Sequence, residues 1–313
     1  MAEPAPLYNE LAEAPENGRA FWLASGRRRI RCAVWGGGSR GVAVIFNGRT
    51  EYIEKYGRVI TQLTRRGFSV ATLDWRGQGL SDRPLGERMK GHVADFAAYQ
   101  RDAKTFLAAR PVASLPGPRL LICHSMGGCI GLRALLDERI APAATIMSAP
   151  MFDLALSPFG RLLARGMVAF AREFHFEACF APGPKPRAPY VIRQRFDGNV
   201  LTGDRDHYEW FRKHLEAEPA FAIGGPTLGW IDRAFEEITA LGAAPAPEIP
   251  ALVMLGGAEA VVDKGAIRAF AAKSRSCRLL EIEGGRHEMF FETPRIREQV
   301  WAGIDAFLVE NGI

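Results

Sequence analysis

RLLICHSMGGCIGLRALL, residues 119–136, reads as a buried strand, a sharp turn and a helix, and the rest of the chain is read outward from it. The run 119–123 is almost wholly apolar, as a strand covered on both faces must be. Ser125 stands at the turn. The residues two before and two after it, Cys123 and Gly127, are small, so strand and helix can close on each other while the serine takes a strained backbone. Such a turn holds the hydroxyl above the strand end at a helix N-terminus, where the Met126 N–H faces developing negative charge. A Ser-x-Gly turn that merely caps a helix is the plainer alternative. The buried strand before it and the apolar helix after it favour a nucleophile.

Short β-rich runs recur on either side of this segment, at 29–35, 41–46, 68–73, 144–148, 251–255 and 278–282. Between them, Tyr56, Val59, Ile60 and Leu63 repeat with helical period and stop at Gly67. Phe96, Tyr99, Ala103, Phe106 and Leu107 repeat it again, as do Ile296, Val300, Ile304, Phe307 and Leu308. This alternation predicts an α/β fold with a mostly parallel sheet flanked by helices. It lapses across 152–240, where helical stretches are broken by Pro-rich and Gly-rich pieces. The predicted organisation is a flexible N-terminal segment (1–18), a first part of the core (19–151), a mainly helical cap (152–240) and a second part of the core (241–313).

With 48% hydrophobic and 24% charged residues among 313, the chain can build a sizeable core and lies far from disordered compositions. A net charge of +5 without a clustered basic stripe argues against nucleic acid as a partner. Arg27, Arg28, Arg29 and Arg31 read as guards on an exposed sheet edge. Five scattered cysteines, an odd number without CxxC pairs, predict reduced core residues and no zinc site. The acidic, Pro-rich N-terminus lacks the apolar centre of a secretory signal. No run reaches the roughly 20 apolar residues needed to cross a bilayer. A cytoplasmic protein is the expectation.

A serine hydroxyl needs a base, and strand-end chemistry of this kind orders its partners as Ser, then acid, then His. His287 sits in the Gly-rich loop EGGRH after the last predicted strand, from which an imidazole can reach back over the strand ends. His175, His207 and His214 fall in the insertion, His92 precedes the nucleophile and His124 adjoins it. For the acid, Glu259 and Asp263 both follow the strand 251–255. Glu259, nearer the strand end, is preferred; Asp263 opens the next helix and suits an N-cap. The loop Asn47-Gly48-Arg49 after the strand 41–46 offers the Arg49 N–H as the second oxyanion donor beside Met126. Asp74, Arg76 and Ser81 in DWRGQGLS read as braces for the loops around the site.

Taken together, Asn47-Gly48-Arg49 with Glu51 and Tyr56, DWRGQGLS, Gly91-His92, His124-Ser125-Met126-Gly127-Gly128, VLTGDRDHY, GGPTLGW and His287-Glu288-Met289-Phe290-Phe291-Glu292 form a recognisable set. It resembles the lysophospholipase and monoacylglycerol lipase branch of the α/β-hydrolases, the serine aminopeptidase S33-like group, over about residues 40–310. The resemblance implies an eight-stranded core with a helical cap, no cofactor, and hydrolysis of one acyl chain from a glycerol or glycerophospho head group. It maps nucleophile, base and oxyanion donors onto Ser125, His287, Met126 and Arg49. Where monoacylglycerol lipases have His-Gly and an aspartate, this chain has Asn47-Gly48 and Glu259, so it is more similar to bacterial lysophospholipases of the L2 type.

The implied partner is a small lipid or ester. Leu154, Leu156, Phe159, Leu162, Leu163, Met167, Val168 and Phe170, near Arg161, Arg165 and Arg172, suit an acyl chain, the surface of an anionic bilayer, or simple packing of the cap on the core. A smaller-ester esterase and a peptidase are the enzymatic alternatives. A non-catalytic ligand-binding protein on the same scaffold is the alternative from another class, and its mark would be a broken Ser/His/acid set. His207 and His214 lack a third metal ligand in the sequence, so no metal is predicted.

Overall fold

Four strands, Gly41–Phe46, Phe68–Leu73, Ala144–Ser148 and Ala251–Gly256, are buried along their whole length, so each needs cover on both faces. The computed structural model, which describes residues 2–313, meets that need with a single mixed sheet. In chain order its strands are β1 (Glu3–Pro4), β2 (Gly18–Ser25), β3 (Arg28–Trp35), β4 (Gly41–Phe46), β5 (Phe68–Leu73), β6 (Arg119–His124), β7 (Ala144–Ser148), β8 (Ala251–Gly256) and β9 (Cys277–Ile282). They lie side by side as β1-β2-β3-β5-β4-β6-β7-β8-β9. The run from β5 to β9 is parallel, and β3, β2 and β1 extend it antiparallel.

Alternation along each strand divides the core into two apolar clusters, one per face. Val42, Val44 and Phe46 of β4 join the first, Ala43 and Ile45 the second. Helices Ala97–Ala108 and Met126–Leu136 supply Tyr99, Phe106, Ile130 and Leu132 to the first. Helices Gly57–Arg65 and Pro294–Glu310 supply Val59, Leu63, Val300 and Ile304 to the second. Between β7 and β8 the chain leaves the sheet and forms helices Pro158–Glu173, Tyr190–Arg193, Arg205–Ala217 and Leu228–Ala243. This excursion roofs the carboxyl ends of the parallel strands, where catalytic loops of such sheets gather.

Several expectations need correction. The sheet has nine strands rather than eight, because the two-residue β1 pairs with β2. Over residues 2–18 the N-terminal segment is therefore strapped down rather than flexible: Ala12 is buried, Pro6 O accepts from Arg31 Nη1 at 3.1 Å, and Leu11 O accepts from the His214 ring at 2.7 Å. Arg31 guards no edge. β3 lies between β2 and β5, and the Arg31 guanidinium is fully buried against Glu54 and Asp74, at 2.6 and 2.8 Å. Cys32, Cys123 and Cys129 are buried as expected, but Cys179 is exposed and Cys277 half-buried, with all five thiols free.

Candidate active site

Ser125 links β6 to the helix Met126–Leu136 with φ 51° and ψ −118°, a conformation that costs a non-glycine residue roughly 1–3 kcal/mol. Surrounding bonds hold it there. Its N–H donates to Ser148 O at 3.1 Å, and its carbonyl accepts from Gly128 and Met151 N–H at 2.8 and 2.9 Å. The close approach explains two small residues. A Cβ on Gly127 would lie 2.0 Å from Phe46 O, and one on Gly131 would lie 2.4 Å from Cys123 Sγ. A cysteine thus fits two residues before the serine because the helix has glycine one turn in.

His287, from the loop after β9, meets Ser125 across 162 residues of sequence, and Glu259, from the loop after β8, meets His287 across 28. Ser125 Oγ lies 3.0 Å from His287 Nε2, and His287 Nδ1 lies 2.8 Å from Glu259 Oε2. The second carboxylate oxygen, Oε1, accepts from the Val261 and Val262 amides at 2.6 and 3.2 Å. Burial alone would raise the Glu259 pKa, but the His287 contact and the two amides outweigh it and hold the carboxyl below its ordinary range. Asp263 does not reach the imidazole; its Oδ1 caps the helix Lys264–Ala272 by accepting from Ala266 N–H at 2.7 Å.

Met126 opens its helix, so its N–H is among the donors without an intrahelical acceptor, directly beside Ser125. The facing loop 47–51 is held from below. Asn47 Nδ2 donates to Leu73 O at 2.6 Å, Gln78 Nε2 donates to Gly48 O at 2.9 Å, and Glu51 Oε2 accepts from the Gly48 N–H. The Arg49 side chain lines the same cavity as Ser125 and His287. Asp74, Arg76 and Ser81 tie loops together as their turn chemistry suggests: Asp74 accepts from Ile53 and Leu80 N–H at 2.8 Å each, and Arg76 forks onto Asp102.

Sequence reasoning missed the charged layer under this loop. Lys55 Nζ donates to both Glu51 and Glu288, with the Glu288 contact at 2.6 Å, and Tyr56 OH donates to Glu51 at 2.7 Å. His124 Nε2 lies 3.4 Å from Glu288, and its ring centroid is 4.8 Å from that of His287. Burial pushes Glu51 upward, but Lys55, His124 and Tyr56 draw it down to about 2, so it stays ionised as the acceptor for Gly48. Burial and the nearby Glu51 charge raise Glu288 to about 6, against the pull of Lys55. The donor atoms of Glu51, His124 and Glu288 lie within 4.8 Å of one another, as metal ligands would, but Lys55 already supplies the cation they share. Glu51, Tyr56 and Glu288 all stand in the motifs that carry the resemblance, which was the available signal.

The cavity over Ser125 has a volume of about 610 Å³, suited to a small ligand. It is walled by Met151, Ile223, Trp230 and Val261 and roofed by the Pro-rich stretch 182–189. A wider groove of about 810 Å³ runs along helices Gly57–Arg65 and Pro294–Glu310, but its Arg58, Arg66 and Arg297 are each paired with a carboxylate and it holds no nucleophile. The smaller cavity is the one that Ser125 and His287 line.

The family profile described as "Serine aminopeptidase, S33" matches residues 37–294. The chain belongs to this family of α/β-hydrolases. Over 272 residues this S33 protein is 30% identical to lysophospholipase L2 of Escherichia coli strain K12, spanning 82% of this chain and 76% of that protein. It is 23% identical over 287 residues to monoglyceride lipase of Rattus norvegicus, spanning 88% and 86%. A solved structure of a soluble monoglyceride lipase variant from Saccharomyces cerevisiae, bound to a substrate analog, shares the fold with a TM-score of 0.71 at 18% identity, over 93% of this chain and 96% of that one. These likenesses place the protein in the lysophospholipase and monoacylglycerol lipase branch of the S33 family.

Proposed function

We propose that this S33 hydrolase is a lysophospholipase that releases a fatty acid through an acyl-serine on Ser125. The observation that carries the reading is the relay Ser125 Oγ, His287, Glu259, with contacts of 3.0 and 2.8 Å. In the first step Oγ bonds to the ester carbonyl carbon and its proton passes to His287 Nε2. Negative charge on the former carbonyl oxygen is held by the Met126 and Arg49 amides, each worth about 3 kcal/mol in such a site. Collapse breaks the bond to the glycerol oxygen, which leaves with the proton from Nε2. Water then repeats the sequence on the acyl-serine and frees the acid. Glu259 keeps the proton of neutral His287 on Nδ1, so that Nε2 presents a lone pair, and balances the imidazolium when it forms.

Two features support a lipid substrate. The cavity wall is apolar around Met151, Leu154, Ile223 and Trp230. Next to it, the cap helix Pro158–Glu173 exposes Phe159, Leu162, Leu163 and Phe170, at 76%, 70%, 53% and 56% of full accessibility, around an apolar groove that shares Pro182 with the cavity. Among the described residues no helix is long and apolar enough to cross a membrane. We place this face on a phospholipid bilayer, where a lysophospholipid resides and where exposed Arg165, without a carboxylate partner among the described residues, meets anionic head groups.

The test is fluorophosphonate labelling of wild type against Ser125→Ala, followed by release of fatty acid from lysophospholipids. Loss of labelling and of release in the alanine variant is the expected result. Equal labelling would move the nucleophile elsewhere.

A further inference from the structure

Arg49 enters the mechanism only through its backbone, yet its side chain is the one strongly enclosed guanidinium around the catalytic cavity with no carboxylate within 4.0 Å among the described residues. Nη2 donates to Gly224 O at 2.9 Å, and Nε is buried without an acceptor. One hydrogen bond serves a group with five N–H donors. Burial lowers its pKa to about 10, so it remains a cation at neutral pH. A charge in this position is costly to leave uncompensated.

Two motifs that the mechanism does not use build the cradle for this group. The guanidinium carbon sits 5.1 Å above the Trp230 ring, a cation–π contact. A Cβ on Gly91 would lie 2.2 Å from Nη2, so a larger residue there would displace the guanidinium from this position. Gly91 N–H and O bond to Gly225 O and Thr227 N–H at 3.0 and 2.9 Å, and Thr227 Oγ1 lies 2.8 Å from His92 Nδ1. Gly91-His92 and the segment 224–230 thus clasp each other around the arginine. The clasp fixes its direction and leaves its charge unpaired. Exposed Arg193, also without a carboxylate partner among the described residues, lines the same cavity.

We infer that the Arg49 guanidinium is the specificity determinant for the phosphodiester of the substrate head group, selecting acyl esters that carry a glycerol phosphate over neutral monoacylglycerols. The inference rests on the hydrolase reading above. Its geometry follows from one residue doing two things. The Arg49 amide is the proposed donor to the carbonyl oxygen, and its guanidinium, held against Trp230 and Gly224, lines the same cavity, where the phosphate of that ester would lie. Planar guanidinium matches phosphate oxygens better than any other side chain.

The experiment compares kcat/KM for 1-dodecanoyl-glycero-3-phosphocholine and 1-dodecanoylglycerol in wild type, Arg49→Gln and Arg49→Lys, all of which keep the backbone amide. The ratio of phosphodiester to neutral ester should fall by about tenfold to a hundredfold in Arg49→Gln, mainly through KM, and recover in part in Arg49→Lys. An unchanged ratio overturns the inference. A measurement on the wild type guards against a misfolded variant: glycerophosphocholine should compete with a neutral p-nitrophenyl ester, and glycerol should not. If dodecanoate competes and glycerophosphocholine does not, the anion bound is the acyl carboxylate and the proposal fails. Ser125→Ala separates the two readings, since activity persisting in that variant defeats the hydrolase assignment, whereas an unmoved ratio with an inactive Ser125→Ala defeats only the role of Arg49.

Discussion

Replacing Glu259 by glutamine changes one atom and no volume, yet it should abolish most turnover, for a reason that lies in the other carboxylate oxygen. Oε1 of Glu259 accepts from the Val261 and Val262 amides at 2.6 and 3.2 Å, and Oε2 accepts from His287 Nδ1 at 2.8 Å. A glutamine must keep its oxygen toward the two amides, because an NH2 there would face two donors. Its NH2 then points at His287 Nδ1 and demands a lone pair. The imidazole proton moves to Nε2, where it faces Ser125 Oγ, and the base is lost. The opposite orientation preserves the base only by giving up the two hydrogen bonds from the Val261 and Val262 amides, about 2 kcal/mol or more.

A wrong tautomer in an Asp-His-Ser relay costs about 10⁴ in kcat, or about 5.5 kcal/mol of barrier. The Glu259→Gln variant should fall by that order on any ester, with its thermal unfolding little changed. Asp263→Asn is the control. Asparagine caps a helix as well as aspartate, so the bond to Ala266 N–H survives and turnover should stay within about twofold. The assay is single-turnover hydrolysis of a soluble p-nitrophenyl ester on both variants. A Glu259→Gln enzyme keeping about a tenth of wild-type activity or more would refute the tautomer argument, and a collapse confined to Asp263→Asn would reassign the acid.

Two further outcomes are expected. Gly131→Ala sets a Cβ 2.4 Å from Cys123 Sγ and should destabilise by about 1–3 kcal/mol, but in a Cys123→Ala background, which leaves Leu121 Cδ2 at 3.6 Å and the Cβ of residue 123 at 3.7 Å in ordinary contact, the same change should stabilise by up to about 1 kcal/mol through helix propensity. At 313 residues each kcal/mol moves Tm by about 1.5 °C, so thermal unfolding of the four proteins reads the coupling, and additive shifts would show that Cys123 and Gly131 do not share the space. On the cap, Phe159→Ser with Leu162→Ser should lower partitioning onto phosphatidylglycerol vesicles about tenfold or more, while Arg165→Gln should cost about fivefold there and nothing on phosphatidylcholine. Vesicle binding that none of these changes alters would place the membrane contact elsewhere or nowhere.

What could be read from the sequence tracks how local the physics is. The runs 41–46, 68–73, 144–148 and 251–255 match strands buried on both faces, because a strand with no solvent side is apolar at every position. β2, with the mixed pattern GRAFWLAS, was missed, and so was β1. Both lie in the antiparallel extension, where pairing partners rather than periodicity make a strand. Ser125, His287 and Glu259 are each adjacent to a strand end, so chain order alone suggests where to look; that all three converge is a property of the sheet order, in which β6, β7, β8 and β9 are successive neighbours.

Charged residues were misread in one consistent direction, and the reason bears on how this site works. Arg31 reads as a surface guard because an isolated charge on a sequence is most often solvated, nothing local marks Lys55, and Glu288 stands out only within the motif that carries the resemblance. In the fold, Arg31 meets Glu54 and Asp74 over 23 and 43 residues of chain, and Lys55 meets Glu288 over 233. Compensation of that range cannot be seen in a local window. It is also what gives the exceptional arginine its meaning. Arg31, Lys55 and Arg76 are enclosed and each has its acid. Among the described residues Arg49 has none, and unlike Arg83, whose guanidinium also lacks an acid but bonds to the Ser81, Ala220 and Ala222 carbonyls outside the cavity, it stands beside Ser125, so the missing anion is one that the substrate brings.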